Sequence, residues 1–109
     1  MNKKNEFSIM PSNLPYWDNK RFPGSHRHEV FFGVRNRKKS IEDGLVIFLT
    51  PEMHNMSSKG IHYNWDFNLY AKQEAQATWM KYYNKTTKDF TTRYGRNYLE
   101  EEKEWKIEY

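Results

Sequence analysis

The sequence predicts a small α+β domain, and three stretches of the chain carry that prediction. Residues 26–32 (HRHEVFF) alternate as a half-buried strand does, and residues 45–49 (LVIFL) form the continuous apolar run of a strand buried on both faces. Residues 65–83 then place apolar side chains at helical spacing behind Asn64, a suitable N-cap. Two strands followed by helices, within 109 residues, allow one hydrophobic core and no second one.

Residues 1–25 are predicted to form an irregular N-terminal arm. Three prolines and Gly24 oppose a helix there. The arm is nevertheless rich in apolar and aromatic side chains, so we expect it to pack over the domain as an extended wrap. These side chains are Phe7, Ile9, Met10, Leu14, Tyr16, Trp17 and Phe22.

The first predicted strand puts His26, His28, Val30 and Phe32 on one face and Arg27, Glu29 and Phe31 on the other, because side chains alternate along a strand. Residues 33–44 are polar and basic, which predicts a loop with at most a short turn over residues 41–43, capped by Ser40. After the second strand, Thr50 is a candidate N-cap and Pro51 suits the first helical position. Ser57, Ser58 and Gly60 should end this helix early.

The C-terminal part of the chain is predicted to be helical. In the helix over residues 65–83, one buried stripe comprises Phe67, Ala71, Ala75, Thr78, Trp79 and Tyr82, and a second comprises Leu69, Met80 and Tyr83. Thr86 and Asp89 resemble a capping box before a short helix over residues 87–94, which Gly95 ends. We expect residues 63–99 to pack on the core and residues 100–109 to form an acidic tail.

The charge distribution is more informative than the net charge of +4. Between Lys20 and Lys39 there are seven basic residues and one acidic residue, Glu29, a pattern typical of polyanion binding; a solvated surface is the alternative. With no cysteine, any metal ion must be bound by histidine, carboxylate or water. No apolar stretch suits a signal peptide or a membrane span, so we expect a cytoplasmic protein with no membrane partner.

All four histidines lie within residues 26–62, around the two predicted strands. His28 and Glu29 on the first strand and His54 after the second could supply a general base and metal ligands for phosphodiester hydrolysis. His62 would lie about 12 Å from His54 on an unbroken helix, given a rise of about 1.5 Å per residue. A break at Gly60 would let His62 fold back to the same site. We interpret His26 as a surface residue or a hydrogen-bonding neighbour.

Several motifs occur in one order: HxHEVFFG, NRKKS, GLVIFLTPEMHN, GIH and, after the long helix, DFTTRYGRNYL. Over about residues 26–99 this order resembles a family of phage-encoded HNH-type endonucleases that includes recombination-enhancing nucleases of temperate phages. The resemblance implies a ββα-metal core over residues 26–62, one divalent cation and cleavage of DNA. Mg²⁺ is the cation expected first, with Mn²⁺ or Zn²⁺ as alternatives.

The resemblance also implies roles for individual residues. His28 and Glu29 match the first-strand catalytic pair, in which one residue is the base and its neighbour a metal ligand; which is which stays open. His54 and His62 match the metal-binding histidine of the helix and the histidine just beyond it, and Glu29 is a further candidate ligand. Neighbours on a regular strand point to opposite faces, so His28 and Glu29 act together only if the strand bends there. Asp43 stands where the standard HNH pattern has asparagine.

The sequence therefore predicts a metal-dependent HNH-type DNA endonuclease of phage or prophage origin, acting in a bacterial host cell. Phosphate contacts are expected from Arg35, Arg37, Lys38, Lys39 and Arg96. The alternative is a catalytically weak DNA-binding accessory protein of phage recombination or replication. Under either interpretation DNA is the expected partner, together with a recombinase or another phage replication protein. A small metal-stabilised interaction module is the third interpretation.

Overall fold

The computed structural model describes residues 6–100. In chain order its elements are β1 (His26–Glu29), α1 (Arg37–Asp43), β2 (Val46–Leu49), a π-helical segment (Glu52–Met56), α2 (Trp65–Tyr83) and α3 (Thr87–Tyr94). This small mixed architecture, with helices and one two-stranded antiparallel sheet, is compatible with the predicted α+β class.

The two strands pair antiparallel, with His26 opposite Leu49 and His28 opposite Ile47. Every residue of β2 is fully buried, which confirms the strand buried on both faces. β1 is shorter than predicted because the chain bends after Glu29, where Val30 and Phe31 turn into the core, each 1% exposed. The bend matters for the site, since it falls directly after the predicted catalytic pair.

The loop predicted for residues 33–44 is wrong over Arg37–Asp43, which form α1. The basic, polar sequence gave no sign that this helix has a buried side, yet Ser40 and Asp43 point inward. The Ser40 hydroxyl accepts a hydrogen bond from the backbone N–H of Phe31 at 3.0 Å. Gly44 ends the helix with a positive φ of 77°, a conformation that glycine adopts without steric cost.

Residues 6–25 run along the outer edge of β2. Asp18 and Phe48 exchange two backbone hydrogen bonds of 2.9 and 2.8 Å. Trp17 is 1% exposed and stacks on Phe67 of α2 with the ring planes 13° apart. This segment therefore covers an edge that would otherwise expose unpaired backbone groups. The expectation that all its apolar side chains pack inward is wrong for Leu14 and Phe7, which are 66% and 41% exposed.

The two C-terminal helices begin as predicted. Asn64 accepts a hydrogen bond from the backbone N–H of Phe67, and Thr86 and Asp89 form a complete capping box. The first predicted stripe of α2 is buried at Phe67, Ala71, Ala75 and Trp79, but Tyr82 is 60% exposed. In the last turn of α2 the core contacts come from the second predicted stripe instead, since Met80 and Tyr83 are partly buried and pack against the core.

An aromatic cluster joins the helices to the bend after β1. It comprises Phe31, Phe90, Tyr94 and Tyr98, with ring centroids 4.6–6.5 Å apart. Within residues 6–100, no helix has the length and apolar character needed to cross a membrane. Apart from Glu100, the predicted acidic tail lies outside the described residues.

Candidate metal centre

β1 presents two of the histidines on one face. His26 and His28 are two residues apart on the strand, so their side chains leave the same side of the sheet. His28 is 3% exposed, whereas His26 is half-buried at the start of the strand. A buried and a half-buried imidazole therefore lie side by side on a rigid support.

The segment after β2 brings the other two histidines to that face. The Thr50 hydroxyl accepts a hydrogen bond from the backbone N–H of Met53 at 3.2 Å, as expected for the predicted N-cap. The chain then returns: the backbone N–H of His62 donates to the carbonyl oxygen of His54 at 3.2 Å. The return needs Gly60, where a Cβ would lie 2.8 Å from that same carbonyl oxygen.

The four imidazoles form one connected group. His54 Nε2 lies 3.0 Å from His62 Nε2, and His54 Nδ1 lies 3.1 Å from His26 Nδ1. The His28 ring packs against the other two predicted ligands, with centroids 5.3 Å from His54 and 4.9 Å from His62. The prediction that a break at Gly60 lets His62 fold back to His54 is confirmed.

Three of these residues could hold a metal ion. One side-chain nitrogen from each of His28, His54 and His62 lies within 4.8 Å of the other two. Two nitrogens bound to one tetrahedral ion at about 2.1 Å lie about 3.4 Å apart, close to the observed separation of His54 and His62. His28 Nε2 is buried and has no hydrogen-bond partner among residues 6–100, a costly arrangement that a bound cation would relieve.

The environment keeps these imidazoles neutral. Burial, followed by the nearby His62 and His54, holds the pKa of His28 well below 6.5. Burial and the neighbouring His62 and His26 lower the pKa of His54 to about 4. Burial also lowers the pKa of His62, while the carboxylate of Glu29 opposes that shift. Neutral imidazoles are the form that binds metal, so no proton has to leave at neutral pH.

Glu29 lies beside the group of three histidines, outside the set of side chains whose donor atoms converge within 4.8 Å. Its carboxylate accepts hydrogen bonds from Arg27 Nε at 3.1 Å and from Arg37 Nε at 2.7 Å. Glu29 lines the same cavity as His28, although the two are neighbours on a strand that is paired in regular register through Glu29. The predicted pair therefore shares one site, but its members have different partners: His28 faces other histidines and Glu29 faces arginines.

An open cavity of about 470 Å³ joins the histidines to cationic side chains. Besides the three histidines and Glu29 it is lined by Arg21, Arg27, Phe32 and Arg37. The Phe32 ring contacts the rings of both His28 and His62, with centroids 5.5 and 5.1 Å away. The arrangement combines candidate metal ligands, a carboxylate and guanidinium groups around a space open to solvent.

The five cations predicted for phosphate contacts are placed unequally. Arg37 lines this cavity. Arg35 and Lys38 are both exposed to solvent. Arg35 lies in the loop before α1, and Lys38 lies in the first turn of that helix. Lys39 Nζ donates to the carbonyl oxygen of Arg93 at 2.7 Å, and the Arg96 guanidinium lies over the Tyr98 ring. Lys39 and Arg96 thus each have a partner within the protein, the Arg93 carbonyl oxygen and the Tyr98 ring respectively.

Three residues that line the cavity are not among the predicted site residues: Arg21, Arg27 and Phe32. Arg21 belongs to the predicted arm, and Arg27 to the opposite face of the predicted first strand. Of the two interpretations of His26, the structure favours the hydrogen-bonding neighbour, because it contacts His54 directly. Strand alternation already placed His26 beside His28, and this signal could have identified it. For Arg21 the sequence held no such signal, since its position depends on the path of the arm.

Comparisons of the chain with family models, with curated proteins and with solved structures found no match.

Proposed function

We propose that the chain is a metal-dependent DNA endonuclease of the HNH type, of phage or prophage origin, with residues 26–62 as its ββα-metal core. The observation that carries the proposal is the convergence of His28, His54 and His62 beside a cavity lined by arginines. Metal ligands alone would suit many proteins. Their combination with guanidinium groups suits a phosphodiester, whose charge those groups can bind.

The donor set bears on the identity of the metal. Three neutral imidazoles suit Zn²⁺ and other transition metals, whereas Mg²⁺ favours carboxylate oxygens and water. With three protein ligands a zinc site keeps one open position, as catalytic zinc sites do. We therefore propose Zn²⁺ as the first cation to test, ahead of the Mg²⁺ expected from the sequence. Bound there, the ion would supply Lewis-acid stabilisation of phosphate charge.

The residues of the chain then divide the remaining work. His28 acts as a ligand, because its buried Nε2 faces no other partner. That leaves Glu29, of the predicted pair, as the proton acceptor at the cavity. Arg27 and Arg37 fix its carboxylate, and the Arg37 side chain, which is 62% exposed, presents N–H groups to a phosphate. Arg35 and Lys38, both exposed, extend the cationic surface along the DNA backbone.

A nicking assay tests the proposal. Supercoiled plasmid and single-stranded DNA are incubated with the metal-free protein after addition of Zn²⁺, Mn²⁺ or Mg²⁺, each with and without a recombinase filament. We expect metal-dependent cleavage that His54→Ala reduces by at least 100-fold. Glu52→Ala is the matched control, since it removes an exposed carboxylate from the same helical segment. It should leave cleavage unchanged.

Other outcomes favour the other interpretations. DNA binding without cleavage, under every metal and with the filament present, would contradict the nuclease and favour the accessory protein. Absence of DNA binding, combined with a melting temperature that falls on addition of chelator, would favour a metal-stabilised interaction module.

A further inference from the structure

We infer that His26 is a positioning residue of this metal centre: it fixes His54 in the tautomer that leaves Nε2 free to bind the ion. The inference depends on the proposed metal site, and it assigns a role to a histidine outside the group of three. The juxtaposition that carries it is the 3.1 Å separation of His26 Nδ1 and His54 Nδ1.

The two nitrogens of His54 face different neighbours. Nε2 lies 3.0 Å from His62 Nε2, and Nδ1 lies 3.1 Å from His26 Nδ1. His62 belongs to the group whose nitrogens converge and His26 does not. An ion shared with His62 would therefore take the lone pair of His54 at Nε2.

A neutral imidazole carries one ring proton, so ligation through Nε2 requires the proton at Nδ1. That Nδ1–H needs an acceptor, because His54 is partly buried. His26 Nδ1 is placed to accept it. In the opposite arrangement His26 Nδ1–H would donate to His54, the His54 proton would lie on Nε2, and the ion could not bind there.

The support of His26 is suited to this role. It lies at the start of β1, paired with Leu49 of the fully buried β2, so its backbone is held by the sheet. Its ring meets that of His54 edge-on, with centroids 5.2 Å apart and planes at 86°. A hydrogen bond from a metal-binding histidine to a fixed acceptor orients the ring and is generally worth 10- to 100-fold in metal affinity.

Two substitutions at position 26 distinguish two roles of the His26 side chain: accepting a hydrogen bond from His54, and filling space. Asparagine can place its side-chain oxygen about where Nδ1 of histidine lies, whereas leucine fills similar space without any acceptor. We expect His26→Leu to weaken Zn²⁺ binding by about 10- to 100-fold, by analogy with other such partners. His26→Asn should stay within about threefold of wild type. Affinity is measured by competition with a chromophoric chelator.

A second readout reports the tautomer itself. Long-range ¹H–¹⁵N spectra of the Zn²⁺-bound protein should show His54 protonated at Nδ1 in wild type and in His26→Asn. In zinc-free His26→Leu the population protonated at Nε2 should rise. A purely structural role for His26 would change melting temperature and leave the tautomer as in wild type.

His54→Ala keeps the two proposals apart. If His54→Ala binds Zn²⁺ as tightly as wild type, the metal site itself is refuted. If His54→Ala loses Zn²⁺ while His26→Leu binds like wild type and shows an unchanged tautomer, the role of His26 alone is refuted. Equal losses in His26→Leu and His26→Asn would also overturn it, since the acceptor would then not matter.

Discussion

The histidine group and the surroundings of Asp43 are both polar clusters within one small protein, and they differ in how completely they are satisfied. Asp43 is 9% exposed, and its carboxylate accepts hydrogen bonds from Trp79 at 2.8 Å, Arg93 at 2.6 and 2.9 Å, and Tyr94 at 2.7 Å. Every donor there meets an acceptor. Among the histidines, basic nitrogens face one another, and His28 Nε2 has no hydrogen-bond partner within the part of the chain that the structure describes.

This difference separates a cluster that stabilises the fold from one suited to a ligand. The carboxylate of Asp43 carries a charge that Arg93 neutralises, and burial next to that carboxylate raises the pKa of Tyr94. Burial first, and then the neighbouring histidines, lower the pKa of His28 and His54, because a proton on one imidazole disfavours a proton on the next. The first cluster contains a cation, the guanidinium of Arg93, and the second contains three imidazoles that could bind one.

The largest effect we expect is the loss of stability in Asp43→Ala. The substitution leaves the buried indole N–H of Trp79 and the hydroxyl of Tyr94 without their acceptor and removes the partner of Arg93. Breaking such a buried pair costs about 3 kcal/mol, the low end of the usual range, because the Arg93 side chain is 34% exposed. Urea unfolding monitored by tryptophan fluorescence measures it.

Glu42→Ala is the matched control for Asp43→Ala. Glu42 is the adjacent acidic residue of α1, but its side chain is 53% exposed and lies 3.8 Å from Arg93. Its removal should change the free energy of unfolding by less than about 0.5 kcal/mol, as for most surface substitutions. Equal effects of the two substitutions would show that the Asp43 cluster is not the structural element we describe.

The second prediction is a gain in stability where the histidine cluster is broken. In the metal-free protein His28→Leu replaces a buried imidazole with an unpaired nitrogen by an apolar side chain of similar size. Removing the unsatisfied group should stabilise the metal-free fold by about 1 kcal/mol. The same substitution should abolish Zn²⁺ binding. Urea unfolding in chelator and a zinc titration measure the two effects.

A loss of stability in metal-free His28→Leu would contradict the comparison, since it would mean that the imidazole already has a stabilising partner. The changes in the free energy of unfolding caused by His28→Leu and by Asp43→Ala should therefore have opposite signs. Substitution in the satisfied cluster should weaken the fold, and substitution in the unsatisfied one should strengthen it while removing the ligand.

Sequence patterns predicted the parts of this structure that depend on neighbours along the chain. Alternation and apolar runs located both strands, and cap residues located α2 and α3. The sequence also indicated that His62 could return to His54, because Gly60 interrupts the helix between them. These features follow from the backbone preferences of neighbouring residues, which can be inferred from the sequence alone.

What could not be predicted depends on contacts between distant residues. α1 has a polar sequence and is fixed by Ser40 and Asp43, whose partners lie elsewhere in the chain. The residues that bind the Asp43 carboxylate are 36 to 51 positions away, with no spacing that would connect them. Likewise, Lys39 belonged to a basic run, and only the fold shows that it donates to the carbonyl oxygen of Arg93.

The smallest predicted effect is a difference in how stability depends on pH between the metal-free wild type and His28→Leu. In the folded protein the pKa of His54 is about 4 and that of His28 is well below 6.5, whereas both are near 6.5 in an unfolded chain. Between pH 6.5 and 4 the unfolded chain therefore binds protons that the folded chain does not. The free energy of unfolding should fall as pH is lowered through this window and should not respond to these groups above it.

His28→Leu removes one of the three histidines whose pKa is lowered, so its slope in that window should be shallower, by at most about 1.4 kcal/mol per pH unit for one proton. Urea unfolding at intervals between pH 4 and 8, in the presence of chelator, measures both slopes. Carboxylates titrate in both proteins and cancel in the difference. Identical slopes would mean that His28 is protonated as easily in the folded protein as in the unfolded chain. The buried imidazole would then already have a partner for its proton, and the cluster would resemble that of Asp43 in being complete without a metal ion.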